Sequence, residues 1–109
     1  MSVSECLSVL RKTLELTGSS PPDYMTADIT EKCILPNDIP RGIKEDALKV
    51  VEMLSKWGFD YLTLRKGCST EMRLRCPTLY NACTQPAKKD GEEFVSFLRN
   101  VLERWSVYE

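Results

Sequence analysis

Asp90–Tyr108 reads DGEEFVSFLRNVLERWSVY, and its spacing decides the fold. At about 100° per residue, Phe94, Phe97, Leu98, Val101, Leu102, Trp105 and Tyr108 fall within one arc of roughly 140°. Glu92, Ser96, Asn100 and Glu103 lie opposite, with Val107 beside them. Asp90 and Glu93 have capping-box spacing, which predicts a helix opening with Asp90 as N-cap. A helix this one-sided over about five turns needs other helices to cover it. Its outer face stays free for a partner.

Residues 2–16 repeat the pattern. Ser2 and Glu5 have capping-box spacing, and Val3, Leu7, Leu10 and Leu14 form an i, i+4, i+7, i+11 stripe for the core. Glu5, Val9, Lys12 and Leu16 lie well away from that stripe. Val9 and Leu16 are then either covered by the following loop or part of a partner-binding face. Gly18 and the pair Pro21-Pro22 end this helix.

A third helix is expected over residues 41–57. Ile43, Ala47, Val50, Val51, Leu54 and Trp57 make its apolar face, Glu45–Lys49 and Glu52–Lys56 are favourably ordered i, i+4 pairs, and Gly58 is expected to stop it. Between these helices, residues 19–40 carry Pro36 and Pro40, which exclude a long helix, and Tyr24 to Ile34 reads as a short extended segment. A connection of this length suggests a crossover over a bundle rather than a turn. Residues 59–83 are ambiguous: FDYLTLR is a strand or a helix start, and STEMRLRC is a short helix that Pro77 ends. A third bundle helix has to sit here if there are four. TQPAKK, residues 84–89, leads into the last helix.

The totals bound the function. A chain of 109 residues, 28 % charged and 42 % apolar, is one globular domain spanning 1–109. A net charge of −1 with mixed signs argues against nucleic acid or anionic membrane as the main partner. No apolar run reaches the roughly 20 residues of a membrane helix, so membrane insertion is not expected. There is no histidine, which excludes Ser-His and Cys-His catalysis and His metal sites. The opening MSVSECLSVL has neither a basic region nor a cleavage site. The protein is therefore cytosolic, or a leader precedes this sequence.

Five cysteines, Cys6, Cys33, Cys68, Cys76 and Cys83, are spread along the chain without a C-x-x-C pair. That spacing does not suit zinc and fits a disulfide framework in an oxidising compartment. The odd number leaves one thiol over, and spacing alone leaves the pairing open. Helices, a long crossover and scattered cysteines together suggest an all-α, disulfide-stapled, short-chain four-helix bundle with up-up-down-down topology.

At the residue level the chain resembles the interleukin-2, interleukin-15 and interleukin-21 group of cytokines. The crossover Tyr24-Met25-Thr26-Ala27-Asp28-Ile29-Thr30-Glu31-Lys32-Cys33 is similar to an interleukin-15 segment in which a tyrosine and Asp-Val precede a disulfide cysteine. Glu93-Phe94-Val95-Ser96-Phe97 resembles the Glu-Phe-Leu opening of the last helix in all three, and Arg104-Trp105 adds an aromatic of the kind found there. The likeness covers about a third of the chain and leaves the middle unmatched.

The resemblance implies a secreted, monomeric, non-enzymatic ligand without cofactor or metal, whose partners are receptor ectodomains. One site, for a beta-type chain, would lie on the first helix at Glu5, Val9 and Lys12. The family's acid there aligns near Cys6, with Glu5 as the nearest substitute. The other site, for the common gamma-type chain, would lie on the last helix at Ser96, Asn100 and Glu103. Glu103 stands where the family has a glutamine, which loses an amide donor and adds a charge. The resemblance also implies the pairs Cys33–Cys83 and, as in interleukin-3-like relatives, Cys6–Cys76, leaving Cys68 over. An interleukin-4/13-like cytokine, a cytosolic helical adaptor with buried thiols, and a secreted helical defence or lipid-binding protein are the alternatives.

Overall fold

The computed structural model describes residues 2–108. Its elements are α1 (Ser2–Leu16), α2 (Met25–Ile29) continuing into a π-helical turn (Thr30–Ile34), α3 (Arg41–Gly67), α4 (Thr70–Arg75), α5 (Pro77–Arg104) and a 3-10 turn (Ser106–Tyr108). The described residues contain no strand. α1, α2 with its π-helical turn, α3 and α5 pack around one apolar cluster, and α4 lies against α5 outside it.

That cluster follows the expected periodicity. Leu7, Leu10, Ile43, Ala47, Val50, Leu54, Trp57, Phe94, Leu98 and Val101 are all buried. Val3, Leu14, Phe97, Leu102 and Trp105 pack at its edge and keep partial exposure. Thr13 is buried as well, and its hydroxyl donates to the Val9 carbonyl at 2.8 Å, so no polar atom is stranded there. Trp57 and Phe94 meet with ring centroids 5.5 Å apart. The Trp105 ring lies over Gly42, where a Cβ would come within 2.8 Å of it. Asp46 Oδ2 fixes that ring by accepting from Trp105 Nε1 at 2.7 Å and from Arg104 Nη1 at 2.8 Å. Gly42 near Trp105, and Trp57 near Gly91, make α3 and α5 antiparallel.

Four expectations are corrected. The crossover segment is helical rather than extended. Met25, Ile29 and Cys33 recur at i, i+4, i+8 and are buried, so a helical backbone puts all three into the core. Gly58 does not stop α3, which runs to Gly67 because Tyr61 and Leu64 continue the Trp57 stripe at i+4 and i+7. The last helix starts at Pro77 rather than Asp90, with Pro86 inside it. Asp90 is consequently no N-cap. It is a mid-helix residue, buried, with Oδ1 3.5 Å from Lys56 Nζ. The short helix within STEMRLRC is present as α4, capped by the Ser69 hydroxyl accepting from Met72 N–H at 3.0 Å. No further long helix occupies residues 59–83.

The fourth correction concerns the disulfides. Cys6 bonds Cys33, with Cα atoms 4.8 Å apart, and Cys68 bonds Cys83, with Cα atoms 6.0 Å apart. Cys76 is the free thiol and is exposed. Extending α3 to Gly67 and starting α5 at Pro77 puts Cys68, Cys76 and Cys83 at one end, away from the core that holds Cys6 and Cys33. Cys33–Cys83 and Cys6–Cys76 are thereby out of reach.

Long helices also give the molecule its shape. A 27-residue helix spans about 40 Å and a 15-residue one about 22 Å, so α3 and α5 outrun α1. The radius of gyration is 16.0 Å, against about 13 Å for a compact chain of this size. The excess is an arm: from residue 58 to residue 86 no side chain is fully buried, and the Cys68–Cys83 bond staples its far end.

Candidate functional site

The outward positions of α5 form one wall of a groove. Phe94, Leu98 and Val101 turn into the core, which rotates Ser96, Asn100 and Glu103 into solvent. Gly18 and Ser19, just past the end of α1, approach the same helix and close a groove of about 710 Å³. Trp57, Ala87, Gly91 and Val95 form its floor, and Lys88, Glu92 and Arg99 complete its charged rim with Glu103. Gly91 is what admits Trp57: a Cβ there would lie 2.8 Å from Trp57 Cζ2 and 2.9 Å from Cε2. The indole therefore lies directly on the α5 backbone and sets the depth of the groove.

The three α5 candidates are thus brought together, and all three are exposed. Among the described residues the Glu103 carboxylate makes no ion pair. Its backbone carbonyl accepts from the Ser106 hydroxyl at 2.9 Å, closing the helix end. The groove presents two cations and two anions beside an apolar floor. It suits a polar protein surface with an apolar centre better than a single small charged ligand.

The α1 candidates lie elsewhere. Glu5 and Lys12 are exposed, while Val9 is half-buried against the core, and none of the three lines the α5 groove. Glu5 faces the crossover, with its carboxylate 3.9 Å from Lys32 Nζ, which also lies 3.8 Å from Glu31. These are solvated pairs of little energetic weight. Their value is to place the Glu5 face beside the π-helical turn that Cys6–Cys33 ties to α1. Leu16, on the same α1 flank, is 54 % exposed, so the following loop does not cover it.

Sequence reading missed Arg99, Lys88, Gly18 and Ser19 as members of the groove. Ala87 and Gly91, small residues four apart on the inward side of α5, were the signal for a close approach by a large partner such as Trp57. Nothing local signalled that the loop after α1 would reach α5. Among the described residues no cluster of three or more Cys, Asp and Glu is arranged to hold a metal, and no helix is long and apolar enough to cross a membrane. No protein-family model, curated protein or solved structure matches the chain.

Proposed function

We propose that the chain is a secreted helical cytokine of the interleukin-2/15 kind, acting by binding two receptor chains and bringing them together to signal lymphocyte growth. The α5 groove with Ser96, Asn100 and Glu103 is the surface for a gamma-type chain, and the α1 face with Glu5, Val9 and Lys12 is the surface for a beta-type chain. The reading is one of recognition rather than catalysis.

The observation that carries it is the exposure of Ser96, Asn100 and Glu103 along one groove whose floor is apolar. Interface hot spots favour apolar centres ringed by polar groups. Two disulfides support an oxidising destination. The long connection from α1 to α3 and the antiparallel α3–α5 pair are features of up-up-down-down bundles, although the six-residue α4 stands where their third helix would run. The crossover's share of the resemblance is withdrawn, because Cys33 bonds Cys6. The reading rests on the last helix.

Surface plasmon resonance with gamma-type and beta-type ectodomains tests it. Glu103→Ala should weaken gamma-type binding at least tenfold, about 1.4 kcal/mol, with the melting temperature within a few degrees of wild type. Glu103→Arg should weaken it further if the receptor offers a cation there. Lys12→Glu should affect the beta-type chain alone. Unchanged affinity of both Glu103 variants for every receptor chain removes the α5 site.

A further inference from the structure

Where the arm leaves the bundle, a pocket of about 470 Å³ opens on the seam between α3 and α5. Its residues come from those two helices alone, and none of them lines the α5 groove. Asp90 is the one buried residue among them, at 8 % exposure, and its Oδ2 is buried without a hydrogen-bond partner. Lys56 Nζ lies 3.5 Å from Oδ1, and the Lys56 side chain is 71 % exposed. A buried carboxylate oxygen without a donor is uncommon, because its lost hydration is left uncompensated.

The surroundings add acceptors rather than donors. Pro86 has no N–H, so the Ala82 carbonyl one turn back loses its helical donor, and both residues line the pocket. Asp60, one turn beyond Lys56 on α3, brings a second carboxylate, and the exposed Glu93 brings a third. Against these three stand the two ammonium groups of Lys56 and Lys89. Among the described residues no cluster of carboxylates is arranged to hold a metal ion, so the ligand that fits is an organic cation rich in N–H donors.

We propose that this pocket receives the guanidinium of an arginine side chain presented by a partner protein. A guanidinium has five N–H donors in a planar fork and no acceptor, and it is less strongly hydrated than an ammonium. One edge of the fork takes the Asp90 carboxylate as a bidentate pair and displaces the exposed Lys56 ammonium from Oδ1. Rotation about the Asp90 Cβ–Cγ bond, a soft torsion, brings Oδ2 to the ligand. The remaining N–H groups serve the Ala82 carbonyl and Asp60, and the Ala82 and Pro86 side chains give the methylene stem an apolar wall. A lysine ammonium offers a single point charge and repeats what Lys56 already supplies.

The test needs no receptor, so its outcome is independent of the α5 and α1 faces. N-acetyl-arginine methylamide is titrated into the whole protein and followed by amide chemical shifts, with the lysine and citrulline analogues as controls. The arginine probe should bind with a Kd of about 1 mM or tighter, move the amides of residues 56–60 and 82–93, and weaken as salt is added. The lysine analogue should bind at least about fivefold more weakly, and the uncharged citrulline analogue at least about tenfold. Asp90→Asn should weaken the arginine probe at least about tenfold. Where that variant does not fold, two others carry the test. Asp60→Asn, at a half-buried position, should weaken the probe about threefold or more. Pro86→Ala returns an N–H to the Ala82 carbonyl, so it should raise the melting temperature while weakening the probe. Stability and affinity then move in opposite directions, which a purely structural Pro86 would not produce. No binding by about 20 mM, equal binding of the lysine or citrulline analogue, or unchanged affinity in both Asp60→Asn and Pro86→Ala overturns the proposal.

Discussion

Alanine at Gly58 and at Gly91 should act in opposite directions, although both glycines sit inside long helices and neither has a positive φ. Replacing a helix-interior glycine by alanine stabilises by about 0.5–1 kcal/mol, because the unfolded chain has less freedom to lose. At Gly58 a Cβ meets nothing within 4 Å, so the full gain should appear. At Gly91 the same Cβ would lie 2.8, 2.9 and 3.2 Å from three atoms of the Trp57 indole. These belong to a rigid ring that is 2 % exposed and packed at a tilt against Phe94, so it has little room to retreat. Overpacking of this kind costs about 1–3 kcal/mol, which exceeds the propensity gain. The expected net effect is a loss of about 1–2 kcal/mol. In a domain of this size, 1 kcal/mol moves the melting temperature by about 4–8 °C. Urea unfolding followed by circular dichroism measures both variants, and the indole fluorescence of Gly91→Ala should shift as Trp57 moves. A destabilised Gly58→Ala would mean that α3 does not run through that position. A neutral Gly91→Ala would mean that Trp57 does not lie on α5.

Three more outcomes follow from contacts elsewhere in the fold. Non-reducing peptide mapping should find Cys6–Cys33 and Cys68–Cys83, and iodoacetamide should label Cys76 alone; a Cys33–Cys83 peptide would restore the crossover alignment and refute this fold. Asp46→Ala leaves the Trp105 N–H without its acceptor and should cost about 1–3 kcal/mol in a denaturant melt, whereas a change within 0.5 kcal/mol would show the chain end undocked. Leu98→Ala empties a fully buried site and should cost about 2–5 kcal/mol, and a loss below about half a kcal/mol would mean that α5 is turned the other way.

Much of the core was legible because burial follows a period of 3.6. Leu7, Leu10, Val50, Leu54, Phe94, Leu98 and Val101 were all placed inside by spacing alone, and they are inside. Element boundaries were not legible where a residue's local preference is outweighed. Gly58 costs α3 about 1 kcal/mol, but stopping there would expose Tyr61 and Leu64, which pack against the cluster. Pro86 removes the N–H that would return to the Ala82 carbonyl, at a cost of about 3 kcal/mol. The helix passes through it because Cys83 is tied to Cys68 on one side and Ala87 is buried on the other. In the crossover, the i, i+4, i+8 set Met25, Ile29 and Cys33 was there to be read. The prolines at 36 and 40 argued louder against a helix. The cysteine pairing could not be read, since it depends on where the arm ends.

On the candidate sites, exposure was legible and neighbourhood was not. The helical wheel puts Ser96, Asn100 and Glu103 outward regardless of what packs beneath them. It cannot say that Gly18 and Ser19 turn the outward strip into a groove, because that contact joins segments about 80 residues apart. Nor can it say that Glu5 faces Lys32, which depends on the Cys6–Cys33 bond. These two long-range facts bear directly on the proposed function. A ligand that joins two receptor chains needs two surfaces that do not compete for the same ground. The α5 groove closes against the loop after α1, while the Glu5 face borders the π-helical turn, and no residue of that face lines the groove. Occupying one therefore leaves the other open, so Glu103→Ala and Lys12→Glu should each weaken one receptor chain while sparing the other. Joint loss of both affinities in either single variant would show that the two faces are one.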